Sequence, residues 1–205
     1  MQLGSRIVLA TGNPGKIREI ADLFADLGVE IVAQSDYDVP SVEETGTTFV
    51  DNALLKARNA AACTGLPSIA DDSGLRVDAL NGKPGVHSAR YAGPDASDEE
   101  NLELLIESLR PVPQAQRGAA FHCAAVLAFP GDEPAPLVAE ADWRGVILTR
   151  RRGDGGFGYD PVFFDENAGK TGAEMRREEK NAVSHRGKAF RLLREQIVAA
   201  LDGGA

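Results

Sequence analysis

The chain has 205 residues, 43% of them hydrophobic and 26% charged, near globular averages and enough to bury a substantial core. Its formal net charge of −9 argues against the basic surface that broad nucleic-acid or anionic-membrane binding requires. No apolar run approaches 18 residues and the first six lack a long apolar core, so neither a membrane span nor a signal peptide is expected, and the cytoplasm is the expected location. Cys63 and Cys123 lie far apart in apolar contexts, which predicts reduced core thiols and not a disulfide.

Residues 6–11 form an apolar run expected to be a buried strand, and the stretch Thr11-Gly12-Asn13-Pro14-Gly15-Lys16 follows it. Pro14 suits the first position of a helix and Asn13 its N-cap. Ile17, Ile20, Ala21, Phe24 and Leu27 keep helical spacing, and Gly28 ends the pattern. A strand, a Gly-bearing turn and a helix start together aim backbone N–H groups and a positive dipole end at one point, where Lys16 adds a full charge. That is a seat for phosphate. It is not a Walker loop, because only two residues separate Gly12 from Gly15 and Ile17 stands where a metal-binding hydroxyl is needed.

Residues 29–33 return as a second strand, giving a βαβ opening typical of α/β proteins. The acidic turn Ser41-Val42-Glu43-Glu44-Thr45-Gly46 precedes Thr48, an N-cap with Asp51 three residues on, for an alanine-rich helix over 49–64 closed by Gly65. Lys56, one turn beyond Asn52, and Arg58 lie within it; a solvated face is the ordinary reading of both, and the preferred one for Arg58. Next, an apolar strand is expected to end in Asp71-Asp72-Ser73-Gly74. Neighbouring side chains of a strand point to opposite faces, so one carboxylate can serve a site while the other braces the structure. A carboxylate pair there fits a hard divalent cation, and the same four residues are equally ordinary turn composition.

A strand over 75–80 and a long loop over 81–94, with Pro84 through Gly93 carrying cationic and aromatic groups, come next. Ser97 and Glu100 predict a capping box for a helix ending near Leu109. Two β runs, 119–129 and 137–148, read as a hairpin that belongs to a smaller lobe. Glycines at 153, 155, 156 and 158 allow close approach to a ligand, and Phe157 and Tyr159 offer flat faces for stacking or for closing the core. Finally Ser184 is the expected N-cap of a helix with Ala189, Leu192, Leu193, Ile197 and Ala200 inward. His185 and Arg186 then sit in its first turn, where cations oppose the dipole and an anionic or polar neighbour is expected.

Five segments in order, Thr11–Lys16, Glu43–Gly46, Ala70–Leu75, Gly155–Pro161 and Glu179–Arg186, together resemble the inosine/xanthosine triphosphate pyrophosphatases; Pro84–Tyr91 is similar to the same family's central loop. The resemblance spans about residues 6 to 201 and implies a single α/β domain over 1–205. In it a long mixed twisted sheet is flanked by helices, with two lobes and a central nucleotide cleft. It implies a homodimer, a requirement for Mg²⁺, and hydrolysis of inosine, deoxyinosine or xanthosine triphosphate between the α and β phosphates. By position, it assigns nucleotide contacts to Thr11, Gly12, Asn13, Pro14, Gly15, Lys16, Ser73, Phe157, Gly158, Tyr159, Asp160, Lys180, His185 and Arg186. Asp72 is the implied catalytic carboxylate, with Glu43 or Glu44 sharing the metal. The alternatives are a non-catalytic nucleotide-binding module, which needs no acidic pair, and a phosphatase that releases orthophosphate.

Overall fold

The computed structural model describes residues 3–12, 14–131 and 133–202. A seven-stranded sheet runs in the order β2-β1-β3-β4-β5-β6-β7. Its strands are β1 (Arg6–Leu9), β2 (Glu30–Ala33), β3 (Ser68–Val77), β4 (Gly118–Ala128), β5 (Leu137–Ile147), β6 (Phe163–Asp165) and β7 (Lys170–Thr171). β1 pairs in parallel with both β2 and β3, whereas β5, β6 and β7 pair antiparallel, so the sheet is mixed. The helices are α1 (Pro14–Phe24), α2 (Phe49–Thr64), α3 (Asp98–Leu109), α4 (Arg177–Val183) and α5 (His185–Asp202). No helix among the described residues is long and apolar enough to cross a membrane.

The chain divides into two compact units, one of Met1–Asp72, Cys123–Glu140 and Ala189–Ala205, the other of Ser73–His122 and Ala141–Lys188. β4 and β5 are adjacent in the sheet, and each has residues in both units. In the first unit the parallel β1 buries Ile7, Val8 and Leu9 completely, and α1 contributes Ile20 and Phe24. α2 packs through Ala53, Ala57, Ala60 and Ala61, small enough to bring its backbone close to its neighbours. In the second unit Leu75, Leu102, Leu105, Leu109, Phe121, Trp143, Val162 and Phe163 form the core. Phe121, Trp143 and Phe163 meet at ring distances of 4.7 to 6.0 Å, favourable offset or tilted geometry.

Local chemistry explains most boundaries. The Thr48 hydroxyl accepts from Asp51 N at 3.1 Å, and Gly65 closes α2 at φ 67°. Ser97 and Glu100 form the reciprocal capping box of α3. The Ser184 hydroxyl accepts from Gly187 N at 3.1 Å and so caps α5. Several expectations fail, among them the strand over 75–80, since β3 ends at Val77 and Asp78–Leu80 form a 3-10 helical turn. The break expected at residues 71–74 is absent: β3 runs ten residues through both aspartates, Ser73 and Gly74. β1 pairs with β3 only at Ser68 and Ile69, so it is the neighbouring β4 that accompanies β3 beyond them, and this tertiary context overrides turn-like composition. Cys63 is exposed near the end of α2, and only Cys123 is a core thiol. Leu192 is 41% exposed, because the buried stripe of α5 runs through Ala189, Leu193 and Ile197.

Candidate active site

Continuity of β3 decides how the two aspartates are used. Within the first unit, Asp71 points to α1, where Lys16 Nζ donates to its two carboxylate oxygens at 3.0 and 3.1 Å. The carboxylate is almost fully buried and the lysine side chain is 22% exposed. Lys16 is therefore held at the start of α1 by an anion that is already neutralised. Thr11 is half-buried, Gly12 is exposed, and a Cβ built on Gly12 meets no described atom within 4 Å. Pro14 and Gly15 begin α1, while the expected N-cap, Asn13, lies outside the described residues.

Asp72 points to α2. Its Oδ2 accepts from Asn52 Nδ2 at 3.1 Å and its Oδ1 from Lys56 Nζ at 3.4 Å. The same ammonium donates to Glu44 Oε1 at 2.6 Å. Glu44, Asp72 and Lys56 thus form a clasp, two carboxylates sharing one cation. Burial pushes the Asp72 carboxyl above its ordinary range and the neighbouring Glu44 charge adds to this; Lys56 and the Asn52 hydrogen bond act in the opposite direction. For Lys56, burial favours the neutral amine, but Asp72 and Glu44 together overcome it, so its pKa rises and the cation is secure at neutral pH. Glu43 is exposed, with its carbonyl accepting from Thr45 N at 3.1 Å. Among the described residues, no group of three or more His, Cys, Asp or Glu side chains is gathered as a metal cage.

The second unit holds an aromatic and cationic cluster. Phe157 is 60% exposed, an unusual placement for so large an apolar ring. Lys180 Nζ stands 4.8 Å from its centroid and Arg186 Cζ 5.9 Å. Asp160, 2% exposed, anchors this loop: its Oδ2 accepts from Phe157 N at 2.8 Å and pairs with Lys180. Gly158 N donates to Asp98 at 3.1 Å. Arg186 Nη2 donates to Ser73 Oγ at 3.2 Å, the polar neighbour expected beside a cation at a helix start. His185 is buried and stacks on Phe121, centroids 4.9 Å apart and planes within 10°.

One predicted contact has an evident packing role. Tyr159 is 5% exposed in the core and donates its hydroxyl to Ser88 O at 2.8 Å; burial holds its pKa well above the ordinary phenol value. Of the dense glycines, 153, 155 and 156 answer to close packing within the protein, whereas a Cβ on Gly158 would meet no described atom within 4 Å. A Cβ on Gly153 would lie 2.6 Å from the backbone of Ala173, and one on Gly156, at φ +73°, would lie 2.2 Å from Asp160 Oδ2. A surface pocket of about 750 Å³ in the same unit is lined by Asp78, Gln114, Arg144, Glu166 and Asn167 among others, none of them a predicted site residue.

Sequence reasoning missed Asn52 and Lys56. The signal was present: Phe49, Asn52, Ala53, Lys56, Ala57 and Ala60 fall on one helical stripe, so two polar groups interrupt a buried face. Polar groups on such a stripe must find partners inside the protein.

A parallel strand that leads into a lysine-bearing helix start, beside a strand carrying a carboxylate clasp, is an arrangement suited to phosphorylated ligands, the class of an α/β phosphate-handling protein. Comparison with known proteins narrows the class: residues 7–196 match the profile of the Ham1 family, and the chain belongs to it. It is 57% identical over 192 residues to a dITP/XTP pyrophosphatase of Pectobacterium atrosepticum, covering 94% of this chain and 98% of that one. A dITP/XTP pyrophosphatase of Escherichia coli K12 is 56% identical over the same proportions. The solved structure of a HAM1 protein from Coxiella burnetii superposes with a TM-score of 0.91 at 45% identity, covering 96% of this chain and all of that one.

Proposed function

We propose that the protein is a nucleoside triphosphate pyrophosphatase. It hydrolyses inosine, deoxyinosine and xanthosine triphosphates between the α and β phosphates, releasing monophosphate and pyrophosphate and keeping these bases out of DNA and RNA. The observation that carries this reading is the clasp of Lys56 by Glu44 and Asp72, in a chain more than half identical to proteins named for that reaction.

The donor set fits Mg²⁺. Two carboxylates already converge on one cation, and a hydrated Mg²⁺ typically takes one or two carboxylates plus phosphate oxygens. Asp72 and Glu44 would hold it, with Glu43 the neighbouring alternative. When bound, the ion supplies positive charge against the phosphates and makes a coordinated water more acidic. The remaining work falls to the chain. Asp72 accepts the proton of the attacking water, and its raised pKa makes it a stronger base than a surface carboxylate. Lys56 keeps that carboxylate ionised. Lys16 and the α1 N-terminus, with Thr11 through Gly15, take phosphate charge, and Lys180 and Arg186 are the further cations assigned to the nucleotide.

Phe157 stacks on the purine, with Ser73, Gly158, Tyr159, Asp160 and His185 shaping its surroundings. Donors facing position 6 accept the oxygen of inosine and xanthosine and reject the amino group of adenosine. A buried donor left unpaired costs roughly 1–3 kcal/mol. Guanosine keeps the 6-oxygen and is excluded only through its 2-amino group, a weaker criterion. With Mg²⁺, the expected order of kcat/KM is inosine and xanthosine triphosphates first, guanosine triphosphate well below, adenosine triphosphate last. Adenosine triphosphate cleaved as fast as inosine triphosphate would remove the donor-lined site. The same reading places the enzyme in the cytoplasm as a homodimer with residues 1–205 as one catalytic domain, and light scattering on the purified protein tests the dimer.

A further inference from the structure

Asn52 is a fully buried side chain at the middle of a buried helix stripe. Its carboxamide is used at both ends. Oδ1 accepts from Gly46 N at 2.8 Å, and Nδ2 donates to Asp72 Oδ2 at 3.1 Å. The partners dictate the amide's orientation, since a backbone N–H requires the oxygen and a carboxylate requires the nitrogen. Gly46 is shaped to this contact: a Cβ there would lie 2.6 Å from Asn52 Oδ1 and 2.6 Å from Asp51 Cβ. Only glycine lets the acidic turn sit down on the helix at this point.

The turn so held carries Glu44, two residues earlier. One helical turn beyond Asn52, Lys56 joins the same two segments again, through Glu44 and Asp72. The lysine supplies charge to the pair. Asn52 supplies none and has fixed directions at both ends, which suits it to set geometry. We propose that Asn52 is a positioning residue: its carboxamide, seated against Gly46, fixes the separation of the Glu44 and Asp72 carboxylates on which turnover depends. This rests on the pyrophosphatase reading, because it assigns those carboxylates to the reaction. A misplacement of about 1 Å in such a group can cost on the order of a hundredfold in rate.

The two ends can be cut separately. Asn52→Asp keeps the acceptor for Gly46 N and removes the donor to Asp72. Gly46→Ala keeps the carboxamide and pushes the turn away from it. Steady-state kinetics with deoxyinosine triphosphate and Mg²⁺ are measured for the parent, both variants and the double variant, alongside circular dichroism and thermal unfolding. Each variant is expected to lower kcat by ten- to a hundredfold with KM within about threefold, with circular dichroism and thermal unfolding showing it folded at the assay temperature, since an unfolded fraction would lower apparent kcat in the same way. The double variant is expected to fall far short of the product of the two losses, because both act through one bridge. Without nucleotide, Gly46→Ala is expected to weaken Mn²⁺ binding, followed by electron paramagnetic resonance, at least fivefold. Should Asn52→Asp fail to fold, Asn52→Ser, too short to span Gly46 N and Asp72, removes the bridge as a whole and is expected to give the same loss of kcat. A folded variant with parental kcat, multiplicative losses, or unchanged Mn²⁺ affinity in Gly46→Ala overturns the assignment of Asn52. Failure of the parent itself to release pyrophosphate overturns the underlying reading instead.

Discussion

Replacing Asp72 with asparagine separates catalysis from stability, because the clasp pulls the two in different directions. The side chain is 11% exposed, and burial with the Glu44 charge outweighs Lys56 and Asn52 to raise its pKa. A carboxyl whose folded pKa is raised contributes stability only below its unfolded pKa and loses it as pH rises through the folded value; at neutral pH its charge is a burden. Asparagine removes that burden. It also brings a mismatch: its two ends meet Asn52 Nδ2 at 3.1 Å and Lys56 Nζ at 3.4 Å, both donors, so one amide N–H must face a donor. Such a mismatch costs roughly 1–3 kcal/mol. The two effects offset, and Tm is expected to move by no more than about 4 °C, where 1 kcal/mol corresponds to roughly 2–4 °C for a chain this size. Turnover has no such compensation. Loss of a positioned base is expected to lower kcat by on the order of a hundredfold or more, equivalent to about 2.7 kcal/mol of barrier. Calorimetry and a pyrophosphate-release assay on one preparation read both quantities. A variant that turns over within a few-fold of the parent would refute Asp72 as the base.

Further outcomes follow from the same geometry. In the free enzyme Asp72 must be ionised to act, so kcat/KM is expected to fall as pH drops through a value above the ordinary carboxylate range. Lys56→Gln removes the cation that opposes the shift, and should move that acid limb to higher pH; a limb that stays in place would detach it from Asp72. Lys16→Ala is expected to raise KM for triphosphate and weaken inhibition by pyrophosphate together, whereas a change confined to base preference would contradict its assignment to phosphate. Glu44→Gln should raise the Mg²⁺ concentration needed for half-maximal rate several-fold more than Glu43→Gln, since only Glu44 is seen on Lys56; the reverse order would exchange their roles. Phe157→Ala should weaken binding of inosine monophosphate about five- to a hundredfold, the range of one lost base–aromatic stack of roughly 1–3 kcal/mol, and leave pyrophosphate inhibition unchanged.

Much of this was legible in the sequence wherever the physics is local. The Thr48, Ser97 and Ser184 caps, the αL glycines at 28 and 65, and the α/β order were read from neighbouring residues alone. Asp71-Asp72-Ser73-Gly74 was misread as a strand end, because turn propensity is local and the ladder partners that hold β3 extended are distant in sequence. Asn52 and Lys56 were passed over for a related reason: helix periodicity shows a stripe, but Gly46 and Asp72 give that stripe its meaning only after folding. The glycines of residues 153–158 read as room for a ligand, but a Cβ at 153, 155 or 156 would meet Ala173 or Asp160 of the protein itself, while one at 158 would meet no described atom.

The central claim is that water is delivered between the α and β phosphates of a non-standard purine nucleotide. Phosphorus NMR of the reaction with deoxyinosine triphosphate, xanthosine triphosphate and Mg²⁺ observes this directly. One pyrophosphate per monophosphate, with no diphosphate and no orthophosphate from the outset, is the predicted result. Orthophosphate with nucleoside diphosphate, or an unchanged triphosphate spectrum with bound nucleotide, would contradict it.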